Sequence, residues 1–116
     1  MTKPIVIITG SSSGIADAMA KIFSEAGYPL GLFARKKDAI EALGISNSMC
    51  LSVDVTNLDA LADAVHQAEN RFGHTDCLIN NAGYAKLGDF CETLHDEHDR
   101  MINVNILGVI NGIEVV

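Results

Sequence analysis

Cationic side chains are scarce: 8 lysines and arginines stand against 15 aspartates and glutamates, for a formal net charge of −7. That balance opposes nonspecific association with nucleic acid or anionic membranes, both of which repel a negative surface. A small-molecule partner is expected instead. Cysteine is rarer still. Cys50, Cys77 and Cys91 are odd in number and form no C-x-x-C, and no charged-then-apolar segment precedes the first apolar run. A disulfide framework and a secretory signal are therefore not expected, and a cytoplasmic setting is. The cysteines are expected to pack as small apolar groups. No apolar run approaches the roughly 20 residues of a membrane-spanning helix. With 116 residues, 48% of them hydrophobic and only two prolines, the chain has the makings of one folded domain and is too short for two.

What is present alternates. Residues 4–9 (PIVIIT) are an unbroken apolar run, as in a strand buried on both faces of a parallel sheet. From Gly14, the residues Ile15, Met19, Ile22, Phe23 and Ala26 recur at helical spacing, and Gly27 stands where a helix C-terminal glycine belongs. Residues 29–34 and 49–53 read as strands around a short helix at 37–43. Thr56 and Asp59 have capping-box spacing before a helical stripe that includes Leu58, Leu61, Ala62, Val65 and Phe72, ended by Gly73. Residues 76–80 give a fourth strand. Thr93 with Asp96 forms a second such box before a long helix from about residue 94 to the end. Strands alternating with helices imply a parallel α/β sheet, because each parallel crossover needs an intervening segment.

The loop "TGSSSGIA" (9–16) joins the first strand to the first helix. Backbone N–H groups and a positive helix end converging there suit a pyrophosphate. The spacing Gly10, three serines, Gly14, Ile15, Ala16 departs from the G-x-G-x-x-G/A pattern. The loop alone fits a serine-capped turn equally well. Strand two adds information. An NAD site usually carries an acid about 20 residues past the loop, but "FARKK" supplies Arg35 and Lys36, which suit a 2′-phosphate or else form a solvated turn.

Four motifs in order, "TGSSSGIA" (9–16), "DVTN" (54–57), "NNAG" (80–83) and "NVNILG" (103–108), resemble the N-terminal half of a classical short-chain dehydrogenase/reductase. The resemblance implies a Rossmann-type, doubly wound parallel sheet, here limited to about four strands. Residues 1–116 would then be the NAD(P)-binding part of a longer domain. It implies that Gly10, Ser11, Ser12, Ser13, Gly14 and Ile15 cradle the cofactor's pyrophosphate and adenosine. Arg35 would meet a 2′-phosphate, making NADP the expected cofactor and NAD the less favoured one. Asp54 and Val55 would contact the adenine, and Asn81, Ala82 and Gly83 the ribose side. Asn105 matches the asparagine of the family's catalytic set, whose main chain holds a water in a proton relay. Gly108 and Gly112 share its helix face, which by itself would signify close packing by small residues. Ala16 is the departure, standing where the family has glycine.

The family's chemistry also needs a serine and a tyrosine in Y-x-x-x-K. Tyr28 is followed four residues on by Leu32, and Tyr84 by Gly88, so neither belongs to that motif. The expected whole is an oxidoreductase interconverting a carbonyl and an alcohol, of which this chain alone is inactive and self-associating. A nonenzymatic NADP sensor is the alternative. A receiver domain, with Asp54 ending strand three, lacks the acidic pair that magnesium requires after strand one. His95 and His98 lie one helical turn apart among carboxylates, but charged first turns are usually solvated faces, and no metal is expected.

Overall fold

The computed structural model describes residues 3–11, 14–85 and 88–116. The expectations for Ser12 and Ser13 fall outside the described residues. Four parallel strands form one sheet: β1 (Ile5–Thr9), β2 (Leu30–Ala34), β3 (Ser48–Ser52) and β4 (Thr75–Ile79), in the order β3-β2-β1-β4. This is the first half of a doubly wound sheet, with β1 and β2 inside and β3 and β4 at the edges. Position explains burial. Every residue of β1 and β2 is buried, whereas β3 and β4 are only partly covered.

Alternation along β1 divides the core in two. Val6 and Ile8 point to one face with Leu30, Leu32 and Ile40, against helix α1 (Gly14–Glu25) and the short α2 (Lys37–Glu41). Ile5 and Ile7 point to the other with Phe33 and Val53, against Leu61, Ala64, Val65 and Ala68 of α3 (Leu58–Phe72). The face that α1 buries differs from the expected stripe. Ala16 and Ala20 are buried and Met19 and Phe23 pack beside them, while Ile15 and Ile22 are 71% and 65% exposed. Small residues at the contact let the helix lie close to the sheet, and the methyl of Ala16 is part of that contact. Ile15 is left at the helix N-terminus, outside the core.

Both expected capping boxes are replaced. Asn57, not Thr56, caps α3: its Oδ1 accepts from Ala60 N at 3.1 Å. Thr56 is already engaged, since its N–H and hydroxyl both donate to Asp54 Oδ1 at 3.0 and 2.7 Å. At the second box, the Thr93 hydroxyl donates backward to Asp89 O at 2.9 Å, next to a 3₁₀ turn at Phe90–Glu92. Helix α4 (His95–Ile102) therefore begins without a side-chain cap. The long last helix is also not uniform. Asn103–Leu107 widens into a π turn, in which Gly108 N–H reaches back to Asn103 O, before α5 (Gly108–Val115) continues to the end. Of the cysteines, Cys50 is half-buried and Cys77 and Cys91 are exposed, so only Cys50 packs as expected.

Candidate cofactor cleft

The segments leaving the C-terminal ends of all four strands converge on a cleft of about 310 Å³, the position at which open α/β sheets bind ligands. β1 contributes Gly10, β2 the run Ala34, Arg35 and Lys36, β3 the run Val53, Asp54 and Val55, and β4 the run Asn81 to Tyr84; Arg100 and Val104 close it from the last helix.

The glycine turn and the loop after β4 are locked together. Thr9 Oγ1 accepts from Asn81 N and Ala82 N, each at 3.2 Å, and Asn81 Nδ2 donates to Gly10 O at 3.0 Å. Gly10 has φ +66°, and a Cβ there would come within 2.7 Å of Ala82 Cα. Only glycine allows this approach at this backbone angle. Ser11 serves the turn from inside: it is wholly buried, and its hydroxyl donates to Ile8 O at 2.6 Å. Its side chain therefore faces the turn and not the cleft. Gly14 and Ile15 are exposed at the start of α1 and are not among the cleft's walls.

Arg35 and Lys36 are exposed at the end of β2. Asp54 faces them from the end of β3. Burial pushes its carboxyl upward, but the hydrogen bonds from Thr56 and the charge of Arg35 outweigh that and hold its pKa below the ordinary value. The loop after β3 is tied to α5 by Asn111 Nδ2, which donates to Val55 O at 2.9 Å. Gly108 lets the helix approach: a Cβ there would lie 2.6 Å from Val55 Cγ2. At Gly112 a Cβ would lie 2.5 Å from Asn80 Oδ1. The two glycines thus pack the helix onto the loops that form the cleft.

Asn105 lies in the π turn, a distortion rare in helices and frequent at functional sites. Its side chain does not line the cleft but braces a residue that does. Asn105 Oδ1 accepts from Tyr84 N and Asn105 Nδ2 donates to Tyr84 O, both at 2.8 Å. The Tyr84 hydroxyl donates to Glu97, and the Arg100 guanidinium sits 4.6 Å from the centre of the Tyr84 ring. The hydrogen bond to Glu97, followed by desolvation and the Glu97 charge, raises the Tyr84 pKa above its usual value.

Thr9, Tyr84, Arg100 and Val104 join the site through tertiary structure. Thr9 carried a signal as the first residue of the glycine motif, but Tyr84 and Arg100 meet only once the intervening segment is folded. Among the described residues no group of His, Cys, Asp and Glu is placed to hold a metal. His95 pairs instead with Asp99 at 3.6 Å, and His98 packs on Phe90. No helix among the described residues is long and apolar enough to cross a membrane.

Residues 4–116 match the short chain dehydrogenase family. An uncharacterized oxidoreductase of Staphylococcus saprophyticus is 39% identical over 116 residues, covering 97% of this chain and 47% of that protein. Among solved structures, a short-chain dehydrogenase/reductase from Brucella melitensis is similar with a TM-score of 0.92 at 25% identity, over 99% of this chain and 51% of that one. A 3-ketoacyl-(acyl-carrier-protein) reductase from the same organism, complexed with NADH, gives a TM-score of 0.89 at 26% identity, over 97% of this chain and 48% of that one. The chain spans about half the length of these relatives. By the family match across nearly its whole length and by its Rossmann-type sheet, the chain belongs to the short-chain dehydrogenase family of oxidoreductases.

Proposed function

We propose that the cleft binds a nicotinamide dinucleotide, NADP(H) in preference to NAD(H), and that residues 1–116 form the cofactor-binding part of an oxidoreductase interconverting a carbonyl and an alcohol. The observation that carries the preference is the rim at β2. Where an NAD site would present an acid, the chain has Ala34 followed by Arg35 and Lys36, and neither cation has a carboxylate within ion-pairing distance among the described residues. Free guanidinium and ammonium groups at this point suit a phosphate monoester.

The residues fit the cofactor. Gly10 leaves the turn after β1 without a side chain, and Gly14 and Ile15 present the N-terminus of α1, whose N–H groups favour the pyrophosphate. Ser12 and Ser13 lie outside the described residues, and the resemblance alone assigns them to the cradle. Asp54 has one carboxylate oxygen engaged by Thr56 and the other available to an adenine amino group, with Val55 as the apolar wall. Asn81, Ala82 and Gly83 face the ribose side. Bound in this way, the cofactor supplies or accepts the hydride. Asn105 positions the Tyr84 wall through its side chain and offers its main chain, in the π turn, to the proton relay.

A positioned acid/base is typically worth about 10²–10⁴-fold in rate, and neither tyrosine here stands in Y-x-x-x-K. We therefore expect the 116-residue chain to bind dinucleotide without turning over a carbonyl substrate. The same observation is what favours a nonenzymatic sensor as the second reading. Titration with NADPH and NADH tests the proposal. NADPH is expected to bind about tenfold more tightly, and Arg35→Ala to remove most of that difference, since a charge-assisted hydrogen bond contributes about 1.5–3 kcal/mol. Absence of binding would leave a folded domain without this function.

The partner is a small molecule, and the unpaired Cys50, Cys77 and Cys91 support a reducing, cytoplasmic setting. A second copy of the chain is a further partner. Among the described residues β4 stands at a sheet edge, and Ile102, Ile106, Ile110 and Ile113 are each at least half exposed along the last helix. Sedimentation velocity is expected to show concentration-dependent association that Ile110→Lys reduces. A sharp monomer boundary at high concentration would count against it.

A further inference from the structure

Arg100 sits on α4 beside acids that ordinarily neutralise an arginine. Asp96 and Glu97 precede it by four and three residues, the spacings at which helical ion pairs form. Neither pair exists: no carboxylate of the described residues lies within ion-pairing distance of Arg100. Glu97 is occupied by the Tyr84 hydroxyl, and Asp99 is taken by His95. The guanidinium instead lies over the Tyr84 ring, and it forms part of the cleft wall. Tyr84 thus both diverts the competing acid and holds the cation in place.

The consequence is electrostatic. Three of the chain's eight cationic side chains, Arg35, Lys36 and Arg100, line one cleft of a chain whose net charge is −7, and none of the three is ion-paired among the described residues. Arg35 and Lys36 come from β2 and Arg100 from α4, so the positive groups approach from two different walls. Arg35 is near enough for its charge to reach the Tyr84 hydroxyl. Asp54 is the one carboxylate among the cleft's lining residues and offsets part of this charge, that of Arg35 included; a phosphate monoester dianion supplies the further negative charge and the acceptors that a guanidinium fork matches.

We infer that Arg100 is a specificity-determining residue that, together with Arg35 and Lys36, grips the 2′-phosphate of the dinucleotide from the α4 side of the cleft. The inference rests on the dinucleotide reading and adds to it a residue outside the glycine loop and the β2 rim. It assigns Tyr84 and Glu97 a positioning role, exerted through Arg100.

Fluorescence titration of NADPH and NADH into the wild-type chain and its variants tests this. Arg100→Met is expected to weaken NADPH by about tenfold or more while changing NADH by less than about twofold, and Arg100→Lys to recover part of the loss. Tyr84→Phe keeps the ring but frees Glu97 to pair with Arg100, so it is expected to weaken NADPH selectively. Adding Glu97→Gln to Tyr84→Phe is expected to restore binding. Equal losses for both nucleotides in Arg100→Met would show that Arg100 is a structural wall and overturn the inference, as would unchanged NADPH binding. A wild-type chain that binds NADH as tightly as NADPH, or binds neither, would overturn the parent reading as well, a result visible before any variant is made. Circular dichroism of each variant separates loss of binding from loss of fold.

Discussion

Gly10→Ala is expected to cost the fold about 2–5 kcal/mol and to abolish dinucleotide binding. Two penalties add at this position. The backbone has φ +66°, where an L-residue with a Cβ costs about 1–2 kcal/mol. The methyl would also stand 2.7 Å from Ala82 Cα and 2.9 Å from Ala82 N, and overpacking of this kind typically costs about 1–3 kcal/mol. Relief by a small backbone shift is blocked, because Ala82 N–H is held by Thr9 Oγ1 and Gly10 O accepts from Asn81 Nδ2. Moving either segment breaks the bonds that join the turn after β1 to the loop after β4. Urea unfolding followed by circular dichroism measures the first effect and NADPH titration the second. Gly14→Ala is the contrasting case: a Cβ there meets nothing within 4 Å, and the residue opens a helix. Stability should be unchanged or slightly raised, while binding falls if the nucleotide passes close to that backbone. A Gly10→Ala chain as stable as the wild type would mean that the two segments are not in contact.

The parts of this architecture that were legible in the sequence are those set by local pattern. The unbroken apolar run of β1 announces a strand buried on both faces, and it is so; residues 29–34 read as a strand, and β2 occupies Leu30–Ala34. Gly27 and Gly73 mark helix ends: each has positive φ, Gly27 two residues after Glu25 at the end of α1 and Gly73 directly after Phe72 at the end of α3. The features that escaped are decided by competition or by tertiary contact. Thr56 and Asn57 are both good caps, and which one acts depends on Asp54, whose carboxylate captures Thr56 first. The face buried by α1 runs through Ala16 and Ala20 because a close helix-to-sheet contact selects small side chains over the larger Ile15 and Ile22. The π turn around Asn105 is one extra residue in a helical repeat and leaves no compositional mark, although it alters the phase between α4 and α5.

The cleft itself divides in the same way. Gly10, Arg35, Asp54, Val55, Asn81, Ala82 and Gly83 stand at strand ends and come together as soon as the strands are parallel and in register. Ser11 belongs to the same motif, yet its hydroxyl is spent inside the turn on Ile8 O. Asn105 reaches the site indirectly, through the backbone of Tyr84. Tyr84, Glu97 and Arg100 form a unit only because the segment after β4 returns against α4. A chain-order reading has no means of pairing them.

Gly108→Val is expected to destabilise the chain by about 2 kcal/mol and to weaken dinucleotide binding, although valine is a better helix former than glycine by a few tenths of a kcal/mol. The opposing effect is larger. A Cβ at 108 would lie 2.6 Å from Val55 Cγ2 and 3.3 Å from Val55 Cβ, and a β-branched side chain has little rotameric freedom with which to move aside. Forcing branched volume into this contact costs about 1–3 kcal/mol. The strain falls on the cleft, because Val55 is one of its walls and its carbonyl is tied to the same helix by Asn111. Val55→Ala removes the offending methyl, so in that background Gly108→Val should cost clearly less than it does alone. A double-mutant cycle by urea denaturation would then give a coupling energy of about 1 kcal/mol or more, as residues in contact do. Strict additivity of the two substitutions would mean that the last helix does not press on the β3 loop, and that the small residues at 108 and 112 have another purpose.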